Sequence, residues 1–309
     1  MLRTLNNIQI LRNGKCVLDS MALDRFLSNL KIPNAINTRS QAAFFPSTLR
    51  IFVIAAEKDF PVLREVVSAA INNLENFEII SVDLIVPKLS IKNPALLDLA
   101  NSKVKIRLIN EEDVLDTKTI ENVFSTSFPG REKWCLQQFL KLYSVLESET
   151  DFSLVIDADT ILLHKISWIS RDGRQILMPT LEYQYQYYEI LLKLELIDSF
   201  PKYSFVPHHM FYSKHYLHLM YKKLGKPSAI EFAKIIESLS GKGSPSPFCI
   251  DYELYAQFMY KHYNNEIALT RWANLSISRE KFIKINRFPG ALKILKLFFN
   301  SISVHSWNG

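Results

Sequence analysis

The sharpest chemical feature of the chain is Asp157-Ala158-Asp159. The preceding run Phe152-Ser153-Leu154-Val155-Ile156 predicts a buried strand that delivers Asp157 at its carboxyl end. Side chains two apart on a strand face the same side, so both carboxylates can face one ion. Two close carboxylates repel and raise each other's pKa unless a cation offsets them. Oxygen ligands of this kind suit Mg²⁺ or Mn²⁺, which bind one or two carboxylates together with substrate phosphates. So short a motif also arises by chance, and a strand-end Asp that caps the next turn is the plain alternative.

The elements that must position these acids alternate in type. Strands are predicted at 49–57, 79–87 and 104–110, and helices at 60–74, 94–101 and 131–146. Residues 152–163 read as a second buried strand. Such alternation implies a mostly parallel sheet flanked by helices, an α/β fold whose ligands bind beyond the carboxyl ends of the strands. Residues 46–309 form this domain, and residues 1–45 read as a short N-terminal extension. In the extension, Arg12-Asn13-Gly14 predicts a hairpin and Leu23 to Leu30 a helix. The second half is aromatic and helical, with turns at Lys242 to Pro247 and Phe288-Pro289-Gly290.

Asp157-Ala158-Asp159-Thr160 followed by Ile-Leu-Leu resembles the opening motif of the haloacid-dehalogenase-like phosphatases. Asp157 would then be a nucleophile and Asp159 its acid/base. That motif normally opens its domain, whereas three strand–helix units precede it here. The later aspartates Asp172, Asp198 and Asp251 are isolated, not the pair a Mg²⁺ would need.

A wider set of segments resembles the GT-A-fold glycosyltransferases, and within them a bacterial family of nucleotide-diphospho-sugar transferases. The segments are GREKWCLQQFLKL (130–142), VIDADT (155–160), PHHMFYSK (207–214), DYELY (251–255) and HSW (305–307). The resemblance implies a GT-A-like (Rossmann-like) fold. The implied activity moves a sugar from a nucleotide-diphosphate donor to a hydroxyl acceptor, as in glycan or cell-surface polysaccharide synthesis. It implies a Mn²⁺ or Mg²⁺ held by Asp157, Asp159 and the late His305; a mobile tail is the alternative for His305, and Trp307 beside it argues for a docked one, because an exposed Trp is costly to leave loose. It places Ala55, Ala56 and Glu57 against the nucleoside, and Arg131, Gln138 and Lys141 against the nucleotide or its diphosphate. If configuration is inverted, Asp251 would be the general base, where the family more usually has Glu, and Glu253 would hold the acceptor or orient its loop; if it is retained, Asp251 or Glu253 would contact the acceptor instead. Each implied role has a structural alternative: a strand-end loop at 55–57, a solvated helix face at 138 and 141, helix capping at 251–253. A non-catalytic nucleotide-binding protein on the same scaffold is a further alternative.

His208 and His209 are adjacent, so joint metal ligation is not expected. Packing in a loop competes with acceptor contact beside Tyr183, Tyr185, Tyr187 and Tyr188, since aromatic rings suit the C–H faces of sugars.

Hydrophobic residues at 48% and charged residues at 22% exclude wholesale disorder. Residues 278–300 hold Arg279, Lys281, Lys284, Arg287, Lys293 and Lys296 against Glu280, which is +5 of the net +6. The rest is nearly neutral, which argues against nucleic-acid binding. Apolar residues interleave these cations, as in a helix lying at an anionic lipid surface, and a packed amphipathic helix has the same pattern. No apolar run reaches the roughly 18 residues of a membrane span. No signal peptide is expected from the first residues. Three scattered cysteines (16, 135 and 249) suit a reducing, cytoplasmic setting.

Overall fold

The structure, a computed structural model, describes residues 47–306 other than 75–76, 102–103, 181, 242–247 and 288–289. The N-terminal extension with its expected hairpin and helix, the turn at Lys242 to Pro247, Phe288-Pro289 and Trp307 lie outside the described residues.

The elements run β1 (Ser47–Ile54), α1 (Phe60–Asn73), β2 (Phe77–Val86), β3 (Ile106–Asn110), α2 (Thr117–Ser125), α3 (Glu132–Leu146), β4 (Phe152–Ile156), β5 (Thr160–Leu162), β6 (Gln175–Leu177) and α4 (Tyr185–Lys193). They continue through β7 (His209–Ser213), α5 (Lys214–Lys223), α6 (Ala229–Leu239), α7 (Glu253–His262), β8 (Ile267–Leu269), β9 (Asn274–Ser278), α8 (Arg279–Asn286) and β10 (Ser301–His305). A central sheet has the order β3-β2-β1-β4-β7. Its first four strands are parallel and β7 runs antiparallel to β4. A second sheet orders β5-β10-β9, and β6 pairs with β8.

The mostly parallel α/β architecture read from the sequence is the observed one. β1 shows why its apolar residues run on without alternating. Ile51 and Val53 pack with α1 residues such as Leu63 and Val66, while Phe52 and Ile54 pack with Phe139 and Leu140 of α3. With both faces covered, each position must be apolar, and each large side chain so buried contributes roughly 1.5–3 kcal/mol.

Two expectations are corrected. First, α3 has no solvated face at 138 and 141: every residue from Gln138 to Leu146 is buried, because α2, α5 and α6 pack on the side away from the sheet. A helix covered all round has no solvated face to spare. Second, residues 152–163 are two strands in two different sheets, β4 and β5, with Asp157-Ala158-Asp159 in the break. The basic stretch forms α8 and a single turn at 291–295, with Gly290 between them in the left-handed region at φ 87°, where the sequence leads one to expect a turn. Phe282 of α8 is buried against the core. Among the described residues, no helix is long and apolar enough to cross a membrane.

Candidate active site

The break between β4 and β5 is where the two acids acquire their neighbours. β7 is antiparallel to β4 and begins opposite the end of it, with His209 paired to Ile156. His208 therefore arrives beside Asp157, whose N–H donates to the His208 carbonyl at 3.0 Å. On the other side, Thr160 of β5 pairs with Ser303 of β10. The Val304 N–H donates to the Asp159 carbonyl at 2.8 Å, which brings His305 to Asp159. One acid is thus partnered through the central sheet and the other through the second sheet. The same-face argument for residues two apart on one strand does not apply to them.

Asp157 sits in a dense polar cluster. Lys141 Nζ lies 2.5 Å from its Oδ1, and the Tyr252 hydroxyl donates to the same oxygen. Lys141 also donates to Asp251 Oδ2 at 2.8 Å and to the Tyr252 hydroxyl at 3.1 Å. The other oxygen of Asp251 accepts from Cys249 Sγ at 3.2 Å. Burial alone would push the Asp157 carboxyl up. The Lys141 charge, with hydrogen bonds from His208 and Lys141, instead holds it well below the usual range. Burial would likewise lower the Lys141 ammonium, and the charges of Asp157 and Asp251 raise it above its ordinary value. Lys141 is therefore a permanent internal cation, 8% exposed, bridging two carboxylates.

His208 has φ 64°, a left-handed conformation that costs a non-glycine residue on the order of 1–3 kcal/mol and marks functional positions. Its Nδ1 is 3.1 Å from Asp157 Oδ2, and its Nε2 is 3.7 Å from Glu182 Oε2. Burial would depress the imidazole. The hydrogen bond to Asp157 and the charges of Glu182, Asp157 and Asp159 lift it to about 9, so it is protonated at neutral pH.

His305 Nδ1 stands 3.0 Å from Asp159 Oδ2, and the rings of His208 and His305 are 6.2 Å apart between centroids. Adjacent ligands in an octahedron with bonds of ~2.1 Å are roughly 3 Å apart, so the Asp159–His305 spacing suits a shared divalent cation as well as a hydrogen bond. Asp157 would add Oδ2, which has one hydrogen-bond partner, His208 Nδ1, whereas Oδ1 is shared by Lys141 and Tyr252. Among the described residues, no three His, Cys, Asp or Glu side chains converge closely enough to grip an ion as they stand. The expected trio therefore fits in donor type, and two of its members fit in spacing. Asp59 lies close by: burial raises its carboxyl, Lys58 opposes this, and the charge of Asp159 adds to it.

Of the other expected site residues, all but Asp251 are placed apart from this cluster. Gln138 is buried and spent on backbone, accepting from Ile250 N–H at 2.9 Å and donating to the Phe248 carbonyl. Glu253 is fully buried. It accepts from Ser204 Oγ, Phe205 N–H, Tyr188 OH and Gln257 Nε2 at 2.7–2.9 Å, so it braces the fold and cannot meet an acceptor. Asp251 lies in the cluster but is only 4% exposed and is held by Lys141. Arg131 precedes α3, about 15 Å along the helix from Lys141, with its guanidinium over the Trp134 ring. Ala55 is buried in the sheet edge, and Glu57 accepts from Ser90 Oγ. His209 is core, between Trp168 and Trp272. Tyr187 and Tyr188 are also buried, whereas Tyr183 and Tyr185 are exposed. The sequence reading missed Tyr252 as a partner of Asp157, as well as Asp59 and Glu182. The only local signal for any of them was adjacency to acidic or aromatic neighbours.

A model described as "Family of unknown function (DUF6492)" matches residues 39–272. No curated protein matches the chain. Among solved structures, the apo form of mouse xyloside xylosyltransferase 1 superposes with a TM-score of 0.44 at 10% identity, over 83% of this chain and 97% of that one. An active-site mutant of LgtC superposes with a TM-score of 0.46 at 13% identity, over 82% of this chain and 86% of that one.

Proposed function

The chain belongs to that family of unknown function, and we propose that it transfers a glycosyl group from a nucleotide-diphosphate sugar to a hydroxyl acceptor. The observation that carries this reading is the pairing of Asp159 with His305 beside Asp157, at the carboxyl end of β4. Ligands of parallel sheets bind at that edge, and carboxylate plus imidazole is a donor set acceptable to Mn²⁺. The motif resemblance around 155–160 and 305–307 points the same way.

Asp159 and His305 would hold the cation, with Asp157 Oδ2 as a third ligand. Bound there, the ion would supply Lewis-acid neutralisation of a diphosphate leaving group. The chain's own residues do the rest. Lys141 and Tyr252 fix the Asp157 carboxylate by two hydrogen bonds to one oxygen and keep it ionised. The protonated His208 adds positive charge next to it, on the side facing Glu182. Preorganised charge of this kind is the largest contribution to many transfer reactions. Ala56 and Glu57, just beyond β1, would line the nucleoside end, and Arg131 would meet the donor farther out. The exposed Ile283, Ile294, Leu297 and Phe298, interleaved with Lys281, Lys293 and Lys296, would be the face turned to an anionic membrane surface.

The phosphatase reading is not favoured. Asp172 and Asp198 are exposed and paired with Arg174 and Lys261, and Asp251 is neutralised by Lys141. No second acidic pair is left for Mg²⁺ among these later aspartates.

The test is release of nucleoside diphosphate from a panel of nucleotide sugars with Mn²⁺. Release from at least one donor, abolished by Asp159→Asn, supports the proposal. Release of inorganic phosphate from simple phosphomonoesters, without nucleotide dependence, would replace it with the phosphatase.

A further inference from the structure

Transfer to a hydroxyl requires a group to receive the hydroxyl proton, and the carboxylates of the cluster are unequal candidates. Asp157 is occupied by Lys141, Tyr252 and His208. Asp159 faces His305. Asp251 is held by Lys141 and Cys249 with a side chain 5% exposed. Glu253 is sealed by four donors.

Glu182 differs from all of these. Its side chain is 40% exposed, yet it stands in the field of the same cluster, 3.7 Å from His208 Nε2. At that separation the imidazole faces it without consuming a lone pair in a close hydrogen bond. The left-handed backbone of His208 and its bond to Asp157 fix the direction of that ring. Burial raises the Glu182 carboxyl, His208 opposes this, and the charges of Asp157 and Asp251 add to it. A raised carboxyl is the direction that suits a general base near neutral pH.

The residues that follow Glu182 supply a surface of fitting chemistry. Tyr183 is 41% exposed with its ring against Tyr188, 4.4 Å between centroids. Tyr185, at 54%, is stacked on Phe200, at 38%, with centroids 4.2 Å apart. Exposed rings one and three residues along the chain from a carboxylate, one of them stacked on Phe200, match a pyranose, which offers apolar C–H faces and hydroxyl edges.

Building on the transferase reading, we propose that Glu182 is the catalytic carboxylate of the acceptor subsite, and that the acceptor is a pyranose seated on Tyr183, Tyr185 and Phe200. The acceptor oxygen forms a bond to the donor's anomeric carbon as its proton passes to Glu182. The bond from that carbon to the diphosphate breaks, and the electron pair leaves with the diphosphate. Glu253, fully buried at the first residue of α7, has no part in this step.

The test uses the full chain with Mn²⁺, the donor that gives diphosphate release, and a panel of methyl pyranosides of gluco, galacto and xylo configuration. Glu182→Gln is expected to lower acceptor-dependent release by about 10²–10⁴-fold. It should leave the thermal shift given by the nucleoside diphosphate unchanged. Glu182→Ala is expected to recover part of the rate with added formate, and Tyr185→Ala to raise the acceptor KM while kcat stays near that of the unmodified chain. Glu182→Gln turning over at the unmodified rate would overturn the proposal, as would loss of its diphosphate shift. A diphosphate shift in the unmodified chain with no acceptor-stimulated release from any pyranoside would overturn the acceptor subsite and leave donor binding standing. No shift with any nucleoside diphosphate would remove the transferase reading, and this proposal with it.

Discussion

His305 Nδ1 lies 3.0 Å from Asp159 Oδ2, across 146 residues of chain. The contact exists because β10 pairs antiparallel with β5, so the strand nearest the end of the described chain runs back to the acids at its middle. It joins a carboxylate and an imidazole that neither segment could bring together alone.

The bridge from Lys141 to Asp157 and Asp251 is expected to be a stability element. Lys141→Met leaves two buried carboxylates without their cation. Removing one partner from a buried charge pair typically costs about 3–5 kcal/mol. Urea denaturation should show a lower midpoint with an unchanged slope. Asp251→Asn should cost less, because Lys141 keeps Asp157.

Glu253→Ala is expected to damage folding, not chemistry. It orphans the Phe205 N–H and the Tyr188 hydroxyl, each worth about 1–3 kcal/mol when buried and unsatisfied, while Ser204 Oγ keeps the Glu182 carbonyl. Activity per folded molecule should match the unmodified chain, measured by diphosphate release normalised to the native fraction. A large kcat loss in fully folded protein would return Glu253 to the site.

These two carboxylates show where the sequence stopped being informative. The buried strands and the long helix were legible because each depends on local apolar patterning, as at Ile51 to Ile54 and Phe139 to Leu146. The acid pair was legible because its strand delivers it to an edge. The partners were not, because they come from distant strands whose pairing has no local signature. Nothing in Pro207-His208-His209 announces a left-handed His208. Glu253 and Gln138 carry the residue types of a site, yet they satisfy backbone and hydroxyl groups around the 248–253 segment. Nothing local marks Glu182, because its place beside His208 arises only within a cluster that folding assembles.

Acidification is expected to act through His209. Burial between Trp168 and Trp272 lowers this imidazole to about 3, against an unfolded value near 6.5. The depressed group contributes stability that is fully present above pH 6.5. That contribution is lost as pH falls toward 3, because only the unfolded chain takes up the proton. Denaturation curves between pH 7 and 4 should show this slope, and His209→Asn should flatten it relative to the unmodified chain. Identical slopes in both would contradict the assignment.

His305→Ala is expected to weaken Mn²⁺ binding by at least the 10–100-fold seen on loss of outer-shell partners in metal sites. Folding should change little, because the ring is at the end of β10. Calorimetric titration of Mn²⁺ in the presence of a nucleoside diphosphate checks this directly.

The most direct measurement is the thermal midpoint of the chain with a panel of nucleoside diphosphates, each with and without Mn²⁺. A ligand at 100 times its Kd stabilises the native state by about 2.7 kcal/mol, which shifts the midpoint by several degrees in a chain of this size. The predicted result is such a shift with at least one nucleoside diphosphate, present only with Mn²⁺ and abolished by Asp159→Asn. A midpoint that no nucleoside diphosphate raises beyond Mn²⁺ alone would contradict it.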